Sequence, residues 1–282
     1  MCELFGVSSR KRVIINDYLK KFYSHSDEHP HGWGLALKED NKISIEKQPV
    51  KASESEYLKQ LLENEIIVDH AFAHIRLATI GLTNLYNCHP FSKKDNYERT
   101  WTLIHNGTIF KYEPLDYYIK LQTGETDSER ILLYVVDKIN EEQNDKKRQL
   151  TSKECFHLID SITSELSENN KLNYMLFNCE ILFVHANYKD SLYYLQSEDS
   201  FFISTRPLSD EKWKLLPINR VYGIKEEKII YYGIQHKHEY ELTEENYNLI
   251  IKQLSPELRQ NIKIDFDDSN YIKEYKSGSK LE

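Results

Sequence analysis

Cys2 directly follows Met1. It is either a small side chain buried on a first strand or a nucleophile of a specific kind. Removal of Met1 would leave Cys2 with both a thiol and a free α-amine. An α-amine titrates near about 8, so part of it is neutral at pH 7. It can then take the proton of its own thiol, and no separate catalytic histidine is needed.

Two other clusters fall at the ends of apolar runs. His74-Ile75-Arg76-Leu77-Ala78-Thr79 closes one and His105-Asn106-Gly107-Thr108 closes the other. An arginine there is costly without a partner, and its planar fork matches a carboxylate. Asn106-Gly107 reads as a turn, or as a side-chain N–H beside a backbone N–H, the pair a developing oxyanion needs. Asp127 opens a helical pattern, where it caps the helix or serves a ligand. In Asn87-Cys88-His89-Pro90, Pro90 pushes His89 out of helical geometry, which makes His89 a residue that braces a loop. Ser24 to His31 carries His25, His29 and His31 with Asp27 and Glu28. Its irregular spacing and Pro30 argue against a metal site, so a solvated loop is expected, with no metal ligands.

The elements that position these residues follow from periodicity. Cys2–Ser9 is apolar and alternating, a strand. Trp33–Leu37 and Lys42–Glu46 form a hairpin turning at Asp40-Asn41. Ser53–Leu62 is a helix capped by Ser53 or Ser55. Ile66–His74 and Thr100–His105 read as buried strands. Asp127–Ile139 is a helix with Thr126 or Asp127 as cap. Polar residues 140–153 separate it from a second helix, Thr151–Leu166. Strands are expected at Glu180–Ala186, Ser191–Gln196, Phe201–Thr205, Trp213–Leu216, Arg220–Ile224 and Lys228–Tyr232, then a helix at Glu244–Leu254. Strands, helices, then strands is an α+β order.

The 282-residue chain has a net charge of −8 and no clustered basic stretch, which excludes a general affinity for nucleic acid or anionic membrane. No apolar run approaches a membrane span, and the first residues lack the pattern of a signal peptide. A cytoplasmic location is expected, with the four cysteines as thiols.

In order along the chain, Cys2, His31-Gly32-Trp33-Gly34, His74 to Thr79, Asn87 to Pro90, His105-Asn106-Gly107 and Thr126-Asp127-Ser128-Glu129 resemble the glutaminase domain of class II glutamine amidotransferases. These are N-terminal-nucleophile (Ntn) hydrolases. The likeness is greatest to the stand-alone branch opening Met-Cys-Glu-Leu and to a related subunit that degrades glutathione. Ile203-Ser204-Thr205-Arg206-Pro207-Leu208, Trp213 and Leu216-Pro217 are also similar to that branch. Leu77 and Ile80 stand where several synthase-linked members carry Trp and His.

The resemblance implies a four-layer αββα sandwich of two antiparallel sheets between helical layers, formed by residues 1–270 as a single domain, with 271–282 as a polar tail. It implies that Cys2 attacks the γ-carbonyl of a γ-glutamyl amide, with Asn106 and Gly107 as the oxyanion hole. Arg76 would hold the substrate α-carboxylate and Asp127 its α-amine. Gly32 and Trp33 would lie beside the nucleophile, and Thr79 and His89 would line the pocket. The expected activity is hydrolysis of glutamine or a γ-glutamyl peptide without a cofactor. The alternatives are a glutaminase subunit delivering ammonia to a synthase, and a non-enzymatic protein retaining the fold. A synthase or peptidase partner, or a homo-oligomer, fits these readings.

Overall fold

The strands alternate between two destinations with a period of two, and that alternation builds the layers. The computed structural model describes residues 2–40, 42–78 and 81–253. The strands are β1 (Glu3–Ile14), β2 (Trp33–Glu39), β3 (Lys42–Gln48), β4 (Ile67–Ile75), β5 (Phe91–Lys94), β6 (Thr100–Thr108), β7 (Lys171–Phe177), β8 (Leu182–His185), β9 (Tyr193–Gln196), β10 (Ser200–Ser204), β11 (Lys214–Leu215), β12 (Tyr222–Lys225) and β13 (Lys228–Tyr232). The helices are α1 (Asn16–Tyr23), α2 (Glu56–Glu63), α3 (Asp127–Lys146), α4 (Ser152–Ser167) and α5 (Glu244–Gln253).

Two sheets form, ordered β11-β9-β10-β1-β4-β2-β3 and β13-β12-β8-β7-β6-β5. Their pairings are antiparallel. In the first sheet Leu4, Ala36, Phe72 and Ile203 point inward, where they meet Ile104, Met175 and Phe177 of the second. Their neighbours Phe5, Val7, Ala71 and Ala73 point outward beneath Leu19 and Phe22 of α1 and Leu58 of α2. On the other side Trp101, Leu103, Leu172, Tyr174 and Leu176 face Ile131, Val135, Phe156 and Ile159 of α3 and α4. The result is four layers, αββα, around three apolar interfaces. Each large apolar side chain so buried contributes about 1.5–3 kcal/mol of transfer free energy.

The hairpin at Asp40, the strand at Lys228–Tyr232 and the Ser55 cap agree with the sequence. Ser55 Oγ accepts from the Leu58 N–H at 3.0 Å. Other elements differ. β7 is absent from the sequence reading because Leu172, Tyr174 and Leu176 serve one core and Met175 and Phe177 another. A strand buried on both faces shows no polar alternation. α1 and β5 also went unread, being short and bounded by charged residues. α3 continues through Asn140–Lys146 into the stretch read as a separator. Nothing in that stretch breaks a helix, and Lys147 ends it in the left-handed conformation at φ 54°. The 271–282 tail and the boundary at 270 lie outside the described residues, as does Leu254.

Candidate active site

β1 carries Leu4 on its inner face, so the same alternation directs Cys2, two residues earlier, toward the space between the sheets. On β4 the inner positions are Phe72 and His74, paired with Gly6 and Leu4, and Arg76 is the next. Gly34 and Gly32 follow on the β2 side. Gly34 lies opposite His74, and the Arg76 N–H donates to the Gly32 carbonyl at 2.8 Å. Cys2, Arg76 and Gly32 therefore form one row at the end of the first sheet. Trp33 is fully buried on the opposite, helix-facing side.

The second sheet supplies the facing row. Ile104, Asn106 and Thr108 of β6 pair with Met175, Asn173 and Lys171 of β7. A Cβ on Gly6 would meet Met175 Sδ at 2.6 Å, which sets the two sheets in register. The polar ends of both then lie at the same end of the sandwich. Asn106 and Gly107 are strand residues and form no turn. β6 runs three residues past His105 because β7 pairs with it to Thr108.

The geometry at Asn106 and Gly107 leaves donors uncommitted. Asn106 is buried, and its side chain makes no hydrogen bond among the described residues; Oδ1 is fully enclosed without a partner. Leu172, opposite Gly107, has both backbone groups engaged elsewhere. Its N–H donates to Asn187 Oδ1 at 2.8 Å, and its carbonyl accepts from His185 Nδ1 at 2.7 Å. Gly107 is thus a non-hydrogen-bonded position of the ladder, and its N–H points away from β7. β5 ends its pairing at Leu103, so no strand lies on that side. A Cβ at Gly107 would come within 2.0 Å of the Lys171 carbonyl, so only glycine fits.

Arg76 is 2% exposed. It donates to the carbonyls of Leu82 at 3.1 Å and Gly81 at 3.3 Å. Burial pulls its pKa down, and the groups close enough to oppose this are Cys2, Cys88, Asp127 and Glu125. Glu125 completes a clamp on the same loop, accepting from the Leu82 N–H and Asn87 Nδ2. Cys2 Sγ faces the Leu77 carbonyl at 3.5 Å.

Asp127 is not the helix cap. Thr126 is, its side chain accepting from the Glu129 N–H. Asp127 is buried, with Oδ2 accepting from the Ile109 N–H at 2.8 Å and Oδ1 from the Ser128 N–H at 2.9 Å. It ties the start of α3 to the end of β6.

His89 is buried between the sheets, and both its ring nitrogens lack partners among the described residues. Its ring stacks on His74 at 4.0 Å between centroids. Burial, then the neighbouring charges, pushes its pKa far below the ordinary histidine range. The ring packs against His74 and Phe91 and makes no hydrogen bond to the loop among the described residues. Thr79, Ile80 and Met1 lie outside the described residues.

The segment Ser24–His31 is not a solvated loop. Ser26 and His29 are buried because the segment folds as a 3₁₀ turn against Glu3. His25 Nδ1 lies 2.9 Å from Glu3 Oε2. Arg206 Nε lies 2.7 Å from Glu3 Oε1 as an ion pair outside hydrogen-bond alignment. His31 Nδ1 accepts from the Ala78 N–H at 2.8 Å. Glu3 and Arg206 were not singled out from the sequence. The signal existed: alternation puts Glu3 on the buried outer face with Phe5 and Val7, where a carboxylate needs a cation.

Among the described residues no helix is long and apolar enough to cross a membrane. The model of the class II glutamine amidotransferases matches residues 1–215. An uncharacterized protein of Methanocaldococcus jannaschii, MJ1515, is 28% identical over 259 residues, covering 82% of this chain and 71% of its own length. A predicted glutamine amidotransferase from Pseudomonas aeruginosa superposes with a TM-score of 0.57 at 18% identity, over 82% of this chain and all of that one. The Bacillus subtilis glutamine phosphoribosylpyrophosphate amidotransferase superposes with a TM-score of 0.56 at 16% identity, over 79% of this chain and 47% of that one. These two share the two-sheet fold. With three quarters of its length matched by the family model, the chain belongs to the class II glutamine amidotransferases.

Proposed function

We propose that the protein hydrolyses a γ-glutamyl amide, glutamine or a γ-glutamyl peptide, through a thioester on Cys2. The observation that carries this reading is the buried, unpartnered Asn106 amide beside an unladdered Gly107 N–H, facing the row of Cys2 and Arg76. The Asn106 side-chain N–H donates to no group among the described residues, and a bound carbonyl oxygen is the acceptor that would take it.

The Cys2 thiol gives its proton to its own α-amine and attacks the γ-carbonyl carbon. Charge develops on the carbonyl oxygen, where the Asn106 side chain and the Gly107 N–H receive it. The amine leaves with the proton held by the α-amine, and water then cleaves the thioester to release glutamate. Arg76 binds the substrate α-carboxylate in place of the loop carbonyls it now holds, and Asp127 faces the α-amine. Gly32 keeps the wall beside Cys2 thin: a Cβ there would lie 2.7 Å from Cys88 Sγ. His89 lines the remaining pocket.

The test is glutamate release from glutamine and a set of γ-glutamyl peptides, with intact mass measured on the same preparation. Processed wild-type protein turns over and Cys2→Ala does not, while both keep the same circular dichroism spectrum. Activity in Cys2→Ala would end this reading. A fully Met1-retaining sample as active as a processed one would remove the α-amine as base.

A second reading, ammonia delivery to a partner synthase, is favoured by the loop that Arg76 holds. Leu82, Leu85 and Tyr86 are exposed on it, Leu82 by 71%. Free ammonia from glutamine without any partner favours the hydrolase.

A further inference from the structure

We propose that Glu3 is the positioning residue of the nucleophile, acting through Arg206 and His25. This rests on the reading of Cys2 as the nucleophile. A chain-terminal residue lacks a preceding peptide to fix it and frays unless tied down. Among the described residues the Cys2 side chain has only a long contact, from Sγ to the Leu77 carbonyl. Its restraint must come from the residue that follows.

Glu3 supplies that restraint from the far face of the strand. Its carboxylate is 1% exposed, with Arg206 Nε 2.7 Å from one oxygen and His25 Nδ1 2.9 Å from the other. Arg206 is itself held by Glu28 through its two terminal nitrogens, and His29 Nδ1 donates to the His25 carbonyl at 2.9 Å. The backbone is gripped at the same place. The Leu4 N–H donates to Thr205 Oγ1 at 2.9 Å, and the Thr205 N–H donates to the Leu4 carbonyl at 3.0 Å. Thr205 and Arg206, just past the end of β10, thus clasp Leu4 and Glu3, and the histidine turn closes over the carboxylate. The Ile203–Leu208 segment and the His25–His31 segment act on one carboxylate, next to the candidate nucleophile.

Removing the charge of Glu3 leaves Arg206 and His25 facing a neutral amide and frees the first residue to move. A displacement of about 1 Å at a reacting group costs on the order of 100-fold in rate. Binding through Arg76 and Asp127 does not involve this face.

The test uses the full chain and the substrate turned over best in the glutamate-release screen. Glu3→Gln and Arg206→Met are expected to lower kcat by about 100-fold with KM within about two-fold of wild type, in protein whose melting temperature stays well above that of the assay. Arg206→Lys should restore most of the kcat lost in Arg206→Met. The double variant should be no slower than either single one, since the two residues act as a unit. A folded Glu3→Gln with wild-type kcat overturns the proposal, as does a double variant whose losses multiply. Should Glu3→Gln fail to fold, the Arg206 pair carries the same expectations, because Arg206 is partly exposed. Turnover by Cys2→Ala removes the nucleophile reading itself; a dead Cys2→Ala with an unimpaired Glu3→Gln removes only the anchor.

Discussion

His236 Nε2 stands 2.9 Å from His185 Nε2, and the neighbours fix the direction of that bond. His185 Nδ1 donates to the Leu172 carbonyl, so its Nε2 is the acceptor. His236 Nδ1 accepts from the His238 N–H, so its Nε2 carries the proton. Both rings are neutral, and the relay ends at Leu172, opposite Gly107 of β6.

This relay makes stability depend on pH. Burial, then the neighbouring histidine, lowers His185 to about 3 and His236 to about 4. The unfolded rings titrate near about 6.5, so the unfolded state binds more protons between about 3 and 6.5. Stability from the pair is complete above about pH 7 and is lost progressively as the pH falls through that window. His236→Phe should lower the melting temperature at pH 7.5 and flatten its fall between pH 7 and 5. A variant with the wild-type slope would show that other groups set the acid limit.

Asn106→Ala should lower kcat by about 100- to 1000-fold, the cost of one oxyanion donor. The side chain has no partner among the described residues to lose, so the melting temperature should hold or rise. Steady-state kinetics beside calorimetry checks both. An unchanged kcat would demote Asn106 to a strand residue.

Arg76 and Asp127 should together require a free α-amino acid end on the substrate. A site built to pair charged groups rejects analogues that leave those groups unmatched. Glutaramide, lacking both α groups, should be turned over at least about 1000-fold less efficiently than glutamine, and equal rates would remove both assignments. Arg76→Met should also loosen the 81–87 loop that Arg76 now clamps, seen as faster proteolysis there.

His74 Nε2 lies 3.3 Å from the His105 carbonyl. A carbonyl can only accept, so Nε2 carries the proton and donates; burial pushes the pKa of the ring far down. The bond joins the Arg76 end of one sheet to the Asn106 end of the other. His74→Phe leaves a buried acceptor unpaired, which costs about 1–3 kcal/mol. At about 2–4 °C per kcal/mol for a chain of this size, a fall of several degrees in melting temperature is expected by calorimetry. A wild-type melting temperature would show that the contact between the sheets is incidental.

The sequence by itself determined the candidate positions and most of the elements that carry them. Residue type singled out Cys2, Arg76, Asn106, Gly107 and Asp127 as candidates, because few residue types can do the proposed tasks and their order along the chain resembles one family. Local periodicity located the hairpin, α2, α4 and β13. Tertiary structure decided the rest. β7 is invisible to a period-two reading because both its faces are buried, yet its pairing is what keeps Asn106-Gly107 in a strand and frees the Gly107 N–H. Asp127 or Thr126 could cap the helix until Thr126 took the cap and left the Asp127 carboxylate to the Ile109 N–H. The histidine turn read as solvated because nothing local shows that Glu3, more than twenty residues earlier, and Arg206, nearly two hundred residues later, meet beneath it. A buried carboxylate requires a cation, but which cation is settled only when the chain folds, since pairing across such separations leaves no local pattern.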